Sequence, residues 1–336
     1  MDTSPRIQNR AEHNEIDISL IVPCYNESGN VGPLTERIAE EFSNAGVTCE
    51  IVFVDDGSSD NTLEELRGLA EGNSLPSHTQ KPLYIKVARL SRNFGKESAL
   101  YAGMEIARGN TLCFIDADMQ QDPSTARAMY DFLIEHDEYD VVAAYQDVRT
   151  ESKLLAWLKE RFYQVFNATS DEIELPTNMS DFRVFRRIVA DALLSMPEYF
   201  RFSKGLFAWV GFSTYAMPYT AHKRNAGKSS WNMLSLFRYA FAGITSFSTW
   251  PLNALKYIGG GVAFLSILYL LWVIVVDYLI RGISVPGYAT LVCLILLFGG
   301  IQVAAIGILG DYLARAYIEG KRRPLYIIRE TFDGQI

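Results

Sequence analysis

Asp116 and Asp118 are the residues whose type and spacing point most directly to chemistry. Leu112-Cys113-Phe114-Ile115 runs straight into Asp116-Ala117-Asp118. An apolar run of this kind predicts a buried strand of a mostly parallel sheet. In extended geometry residues two apart project to the same side, so both carboxylates are expected at one site at the strand's end. Open α/β sheets bind ligands outside the carboxyl ends of their strands. Two hard oxygen donors there suit Mg²⁺ or Mn²⁺, which takes one or two carboxylates and fills its remaining positions with water and substrate phosphate. The spacing by itself also fits two solvated carboxylates at a polar strand end.

Other expected strand ends carry similar groups. Ile18–Val22 is a predicted strand stopped by Pro23 and followed by Cys24-Tyr25-Asn26-Glu27. Ile51–Val54 leads into Asp55-Asp56-Gly57-Ser58-Ser59-Asp60, where one of the two adjacent aspartates is expected to serve only the turn. Ser59 or Asp60 is the expected N-cap of the next helix. A strand over Tyr84–Leu90 leads to Arg92-Asn93-Phe94-Gly95-Lys96-Glu97, with Lys96 either a site cation or a solvated helix start. Strand ends presenting Tyr25, Glu27, Asp55, Asp116 and Asp118 hold too many carboxylates for a bare phosphate pocket. Such carboxylates meet phosphates through a bridging cation, or they bind sugar and base hydroxyls. A sugar nucleotide satisfies both conditions.

The elements that must position these residues alternate strand with helix, the signature of βαβ units and an α/β fold with a mostly parallel sheet. Val31, Leu34, Ile38 and Phe42 recur at helical spacing within a predicted helix from Asn30 to Ala45, and Gly46 is its C′ residue. Further helices are expected up to Ala107 and after Pro123, with strands over Val141–Ala144 and Asp181–Phe185. An amphipathic helix over Lys153–Asn167 is expected to pack on the sheet. No G-x-G-x-x-G follows the first strand, which counts against a dinucleotide site.

A formal net charge of −8 argues against nucleic acid as a partner, since that polymer needs a basic footprint. Cys24, Cys49, Cys113 and Cys293 show no CxxC or zinc-like spacing, which fits reduced structural thiols facing the cytosol. The first residues are polar, with no apolar core of a signal peptide, and residues 1–16 are expected to be a flexible tail. At 49% hydrophobic, the composition points to membrane segments. Two apolar runs, Tyr257–Val276 and Val285–Gly310, each exceed the roughly 18 uncharged residues of a spanning helix. By the charges of Lys256 before them and Arg315, Lys321, Arg322 and Arg323 after them, both termini are expected on the cytoplasmic side of a membrane. The expected order is a cytoplasmic catalytic domain over 17–230, an interfacial segment over 231–250, two transmembrane helices over 251–314 and a cytoplasmic tail over 315–336. Within that tail, Pro324–Arg329 reads as a strand used in oligomer contacts, and the expected assembly is a homo-oligomer.

Four ordered motifs, PCYNE (Pro23–Glu27), VDDGSSDNT (Val54–Thr62), RNFGKE (Arg92–Glu97) and IDADMQQDP (Ile115–Pro123), resemble those of inverting family 2 glycosyltransferases of the GT-A fold. SDFRVF (Ser180–Phe185), RFSKGLFAWVGF (Arg201–Phe212) and HKRNAGKSSW (His222–Trp231) extend the resemblance to the bacterial polyprenyl-phosphate branch, which is similar to dolichol-phosphate mannose synthase. The resemblance implies that Pro23, Tyr25, Glu27, Asp55, Lys96 and Ala117 contact the nucleotide sugar. It implies Asp116 and Asp118 as holders of Mg²⁺ or Mn²⁺ with Gln120 nearby, Asp181 as the family's proposed base, and Arg183, Arg201 and Arg224 at phosphates. Lys204 and Lys228 are further candidate cations for two anionic substrates. The implied donor is a UDP- or GDP-sugar and the implied acceptor undecaprenyl or another polyprenyl phosphate, with membrane lipid as a third partner. Glucose is the first choice of sugar, with mannose, galactose and 4-amino-arabinose open. The chain departs from the family pattern at Gln121-Asp122, where Asp122 replaces a usual proline, and at Ala221 and Ser230.

The acceptor phosphate is largely dianionic at neutral pH, having a second pKa of about 6, so Asp181 is expected to orient the acceptor more than to take a proton. A processive polysaccharide synthase would carry Q-x-x-R-W, and a nucleotidyltransferase a glycine-rich basic loop after the first strand. A catalytically silent membrane scaffold is the rival from another class, and the intact carboxylates argue against it.

Overall fold

The structure is a computed structural model that describes residues 16–72, 80–146, 161, 164, 166–167, 179–219, 250–272 and 287–335. The described residues fall into two compact units. One is drawn from Met1–Tyr163, Glu174–Met233 and Pro324–Ile336, the other from Gln164–Ile173 and Leu234–Arg323.

The first unit is built on eight strands: β1 (Ile18–Cys24), β2 (Cys49–Asp55), β3 (Leu83–Leu90), β4 (Thr111–Phe114), β5 (Val141–Gln146), β6 (Met179–Arg186), β7 (Thr214–Tyr219) and β8 (Ile328–Gln335). They form one sheet in the order β7-β5-β6-β4-β1-β2-β3-β8. β4, β1, β2 and β3 run parallel, whereas β6 is antiparallel to both its neighbours and β8 is antiparallel to β3. This is the α/β fold with a mostly parallel sheet that the alternating pattern predicts. Every residue of β2 is buried, as expected where helices cover both faces. The edge strands β7 and β8 alternate half-buried and exposed instead.

Among the described residues six helices flank the sheet: α1 (Val31–Glu41), α2 (Thr62–Ala70), α3 (Lys96–Ile106), α4 (Pro123–Glu135), α5 (Arg187–Leu194) and α6 (Ser203–Trp209). In α1 the predicted apolar positions Val31, Leu34 and Ile38 are buried, and Phe42 follows them into the core. The helix ends earlier than expected. A short 3₁₀ turn over Ser43–Ala45 intervenes, and Gly46 stops the chain at φ 80°, as its C′ assignment requires. α3 lies close on β1, since a Cβ on Gly103 would stand 2.3 Å from Ile21 Cγ2. That approach fixes where the first turn of α3 begins relative to the strand ends.

Three expectations of the strand and helix ends change. β1 continues through Pro23. The β4 ladder ends level with Ile21, so the missing N–H of Pro23 faces no strand, while Cys24 still bonds toward β2 through Asp56. β4 stops at Phe114, so Asp116 and Asp118 lie in the turn beyond it rather than in extended chain. The N-cap of α2 is Asn61, although Asp60 still accepts from the Thr62 N–H at 3.1 Å.

The second unit contains α7 (Trp250–Trp272, 23 residues) and α8 (Tyr288–Gly320, 33 residues). Among the described residues one stretch, Leu297–Gly320, is long and apolar enough to cross a membrane, with a mean hydropathy of 1.5. The N-terminal tail, most of the Lys153–Asn167 helix and nearly all of the 231–250 segment lie outside the described residues. β8 begins beyond most of the predicted Pro324–Arg329 strand, and its partner is β3 of the same chain.

Candidate active site

The carboxyl ends of β1 and β2 are joined by a lattice of short bonds. Asn26 adopts φ 57°, a left-handed conformation that asparagine tolerates. Its Oδ1 accepts from the Ser59 N–H at 2.8 Å, and its own N–H donates to Ser58 Oγ at 3.0 Å. The Glu27 N–H donates to Thr62 Oγ1 at 2.8 Å, and the Gly29 N–H to Glu65 Oε2 at 2.8 Å. Glu27 Oε2 accepts from Asn30 Nδ2 at 2.7 Å. Burial works against ionisation of Asp60, but bonds from Thr62 and Ser28 outweigh it and hold the carboxyl below its ordinary range. Both loops are thereby fixed, while Tyr25 remains 49% exposed above them. Asn26 is absent from the residues the sequence pointed to, and its signal is polar chemistry at a turn requiring positive φ.

The two adjacent aspartates differ in what they hold. Asp56 accepts from the Phe94 N–H at 2.7 Å and the Gly95 N–H at 2.8 Å, tying the β3–α3 turn to β2. Burial pushes its pKa up against those bonds. A Cβ on Gly57 would stand 2.9 Å from Arg92 C and Asn93 N, which fits glycine at φ 73° in this crossing. Asp55 is fully buried, and its Oδ1 accepts from the Ser58 N–H at 3.0 Å. Among the described residues no hydrogen-bond donor reaches Asp55 Oδ2, and Arg89 Nε stands 3.8 Å away.

Beyond β4 the backbone leaves its ladder because the Asp116 N–H donates to Gln121 Oε1 at 2.9 Å. Gln121 is buried and thus holds the turn from beneath. Met119 sits at φ 60°, and the Gln120 N–H donates to Asp118 Oδ1 at 3.1 Å. Ala117 belongs to the apolar core. Asp122, at the position of the family's proline, is the N-cap of α4 and accepts from the Ser124 N–H at 2.9 Å. The departure at Gln121-Asp122 therefore supports the turn and starts the following helix.

Lys96 begins α3 and places Nζ 2.6 Å from Asp116 Oδ1. Burial would lower its pKa, but Asp116 and then Asp181 outweigh that and raise it. Phe114 stands opposite Arg183 in the antiparallel β4–β6 register, and the charges of both Asp116 and Asp181 act on Lys96. Burial raises the Asp181 pKa, but Lys204, Lys96 and Arg183 together bring it below the ordinary carboxylate range. Arg183 is itself buried, with its guanidinium 4.4 Å from the Phe207 ring centre. Arg201 lies over Tyr101 at 4.6 Å and donates to Met196 O; burial lowers its pKa, partly offset by Glu97. Glu97 also accepts from the Ser203 N–H and hydroxyl, linking α3 to α6. Arg224 and Lys228 lie outside the described residues.

Among the described residues no group of three or more His, Cys, Asp and Glu side chains gathers as a metal cage. Asp116 and Asp118 nevertheless fit a divalent cation that draws its other ligands from water and phosphate. The ammonium against Asp116 marks that carboxylate as one already facing positive charge.

A family model described as glycosyl transferase family 2 matches residues 19–194. The SfII prophage-derived bactoprenol glucosyl transferase of Shigella flexneri is 39% identical over 321 residues, covering 94% of this chain and 99% of that protein. The prophage bactoprenol glucosyl transferase homolog of Escherichia coli K12 is 39% identical over 318 residues, covering 94% and 99%. The uncharacterized glycosyltransferase sll0501 of Synechocystis is 38% identical over 321 residues, covering 94% and 96%. Among solved structures, glucosyl-3-phosphoglycerate synthase from Mycobacterium tuberculosis is similar at a TM-score of 0.46 and 16% identity, covering 69% of this chain and 79% of that one. With the family model spanning more than half of its length and these relatives nearly all of it, the chain belongs to glycosyl transferase family 2 and is a glycosyltransferase.

Proposed function

We propose that the enzyme moves a glucosyl group, with inversion, from a nucleotide sugar to a polyprenyl phosphate at the cytoplasmic face of a membrane. The observation that carries this reading is Lys96, whose Nζ lies 2.6 Å from Asp116 and whose charge also acts on Asp181. One cation thus joins the carboxylate expected at the donor diphosphate to the carboxylate expected at the acceptor. Relatives named bactoprenol glucosyl transferase, aligned over 94% of this chain, support the sugar and the acceptor.

Asp116 and Asp118 would hold Mg²⁺ or Mn²⁺, which supplies positive charge to the leaving diphosphate. The remaining work falls to this chain. Asp55 offers its open Oδ2 to a hydroxyl or N–H of the nucleoside, and the stapled loop beside it presents Tyr25 and Glu27 to the same ligand. Gln121 and the turn it supports fix Asp116 before the donor arrives, so little reorganisation is needed as charge develops. Lys204 and Arg183, with Lys96, compensate Asp181 and the acceptor phosphate together. With its pKa depressed, Asp181 is a weak base; it orients cations around an acceptor already able to attack. Arg201 and Arg224 are proposed to hold phosphates. The apolar helices α7 and α8 are proposed as two membrane spans that keep the first unit beside its lipid acceptor.

The test uses the full chain purified in detergent with undecaprenyl phosphate, Mg²⁺ or Mn²⁺ and a panel of UDP- and GDP-sugars. Release of UDP from UDP-glucose that requires both the polyprenyl phosphate and the metal is the expected result. Release that is indifferent to the lipid would remove the acceptor from the proposal, and release from no donor would remove the activity.

A further inference from the structure

Asp55 Oδ2 has no hydrogen-bond donor among the described residues, although a guanidinium stands beside it. Arg89, the neighbour of Asp55 across the β2–β3 pairing, keeps its Nε 3.8 Å from that oxygen, beyond hydrogen-bond reach. The guanidinium is drawn elsewhere: Arg89 Nη1 donates to Glu330 Oε1 at 3.0 Å. Glu330 lies on β8, directly opposite Arg89 in the antiparallel register, and its Oε2 accepts from Arg67 Nη2 at 3.1 Å. Arg67 is positioned in turn by the Phe332 ring, 4.9 Å from its guanidinium carbon. Two further anchors hold the start of this tail, the Ser91 N–H to Ile327 O at 2.8 Å and Tyr326 Oη to Glu105 Oε2 at 2.6 Å.

A buried carboxylate and a guanidinium this close would ordinarily form a direct charge-assisted pair. Here the hydrogen bond of Arg89 Nη1 goes to Glu330 instead. From this geometry we infer that Glu330 is a positioning residue for donor binding: it holds Arg89 off Asp55, leaving Asp55 Oδ2 free for the nucleoside while keeping a compensating charge nearby. Without Glu330 the guanidinium swings onto Asp55 and covers the oxygen. A strand formed after the last apolar helix in the chain thereby governs affinity at a turn formed before the second helix. The inference rests on the proposed placement of the nucleoside at Asp55.

The experiment measures UDP binding by calorimetry in the presence of Mn²⁺, together with KM for UDP-glucose and kcat, on the full chain in detergent. Glu330→Gln is expected to weaken UDP binding and raise KM by about tenfold, with kcat within about twofold of the parent. The double variant Arg89→Gln/Glu330→Gln is expected to recover part of that loss, because no guanidinium remains to cover Asp55. A strand latch with no role at Asp55 would give no recovery. Asp333→Asn serves as the control for β8 docking, since its carboxylate lies 3.8 Å from Lys86 Nζ on the same strand pair. It should leave UDP binding unchanged. If Glu330→Gln and Asp333→Asn shift unfolding alike and neither moves UDP affinity, the positioning role is overturned. Asp55→Ala separates the two readings: if it leaves UDP binding unchanged, the proposed nucleoside site fails, whereas a loss there with none in Glu330→Gln defeats only the relay.

Discussion

Glu50 and Asp55 stand on the same strand, both fully buried, and are treated in opposite ways. Glu50, near the start of β2, accepts from Ser19 Oγ at 2.6 Å, from the Arg108 N–H at 2.8 Å and from Arg108 Nε at 2.8 Å. Asp55, at the carboxyl end, accepts one bond and leaves an oxygen without a donor. A buried polar atom left unpaired costs about 1–3 kcal/mol, so the fold bears that cost at one end of the strand and avoids it at the other. The saturated carboxylate is architecture. The unsaturated one is the oxygen proposed above for a ligand, whereas Asp116, also proposed for the site, has a lysine against it and a glutamine beneath it.

The sharpest way to break this contrast is at the turn beyond β4. Asp116→Asn or Asp118→Asn should lower kcat by about 10²–10³, the magnitude lost when one preorganised electrostatic contact is removed, with little change in the thermal midpoint. Nucleotide-release rates beside calorimetric melting would check it, and near-parental rates would remove these carboxylates from the proposed mechanism. Asp55→Asn should weaken UDP binding by about 10–100-fold while leaving the unfolding midpoint equal or higher, because the strained carboxylate is gone. Equilibrium binding together with a melt decides that.

At the other end of β2 the pattern should invert. Glu50→Gln is expected to cost about 1–3 kcal/mol of stability through its orphaned partners, with activity per folded molecule unchanged. A loss of activity larger than the loss of folded protein would erase the distinction between the two ends.

Asp181 gives a smaller effect and a pH signature. Its folded-state pKa is depressed, so its ionised form contributes stability above the unfolded value of about 3.9, and that contribution fades as pH falls through the lower folded value. Between about pH 5 and 8 it stays ionised, and no limb of the kcat/KM profile should belong to it. Asp181→Asn should reduce the rate by less than about tenfold and keep the profile's shape. A fall of several orders of magnitude at pH 8 with acceptor binding intact would make it a base after all. Least of all should change at the buried thiols. Burial pushes Cys49 up to about 12 and raises Cys24 and Cys113 well above the usual range, so alkylation of these three in the folded chain should be negligible at pH 8.

Local pattern carried a good part of this molecule. The apolar runs located β1 to β4 and placed Glu27, Asp55 and Asp116 just past or at their ends, since hydrophobic periodicity and chain order are properties of short segments. The same pattern misjudged how Asp116 and Asp118 come together. Extended alternation was expected, but the side chain of Gln121 captures the Asp116 N–H and turns the chain, a local bond that periodicity does not encode. It also did not say that the C-terminal strand would pair with β3, because nothing in a run of residues says which sheet edge it will meet.

The sequence by itself determined that carboxylates stand at the ends of parallel strands and that two apolar segments follow. Only the tertiary structure decided which of them are satisfied. Glu50 meets Arg108 because the turn after α3 returns to the start of β1 and β2. Asp116 and Asp181 share the charge of Lys96, with β6 paired antiparallel to β4. Asp55 keeps an open oxygen because β8 brings Glu330 to Arg89. Each depends on pairing between residues far apart in the chain, where burial and competition for a few donors, rather than local preference, settle the outcome.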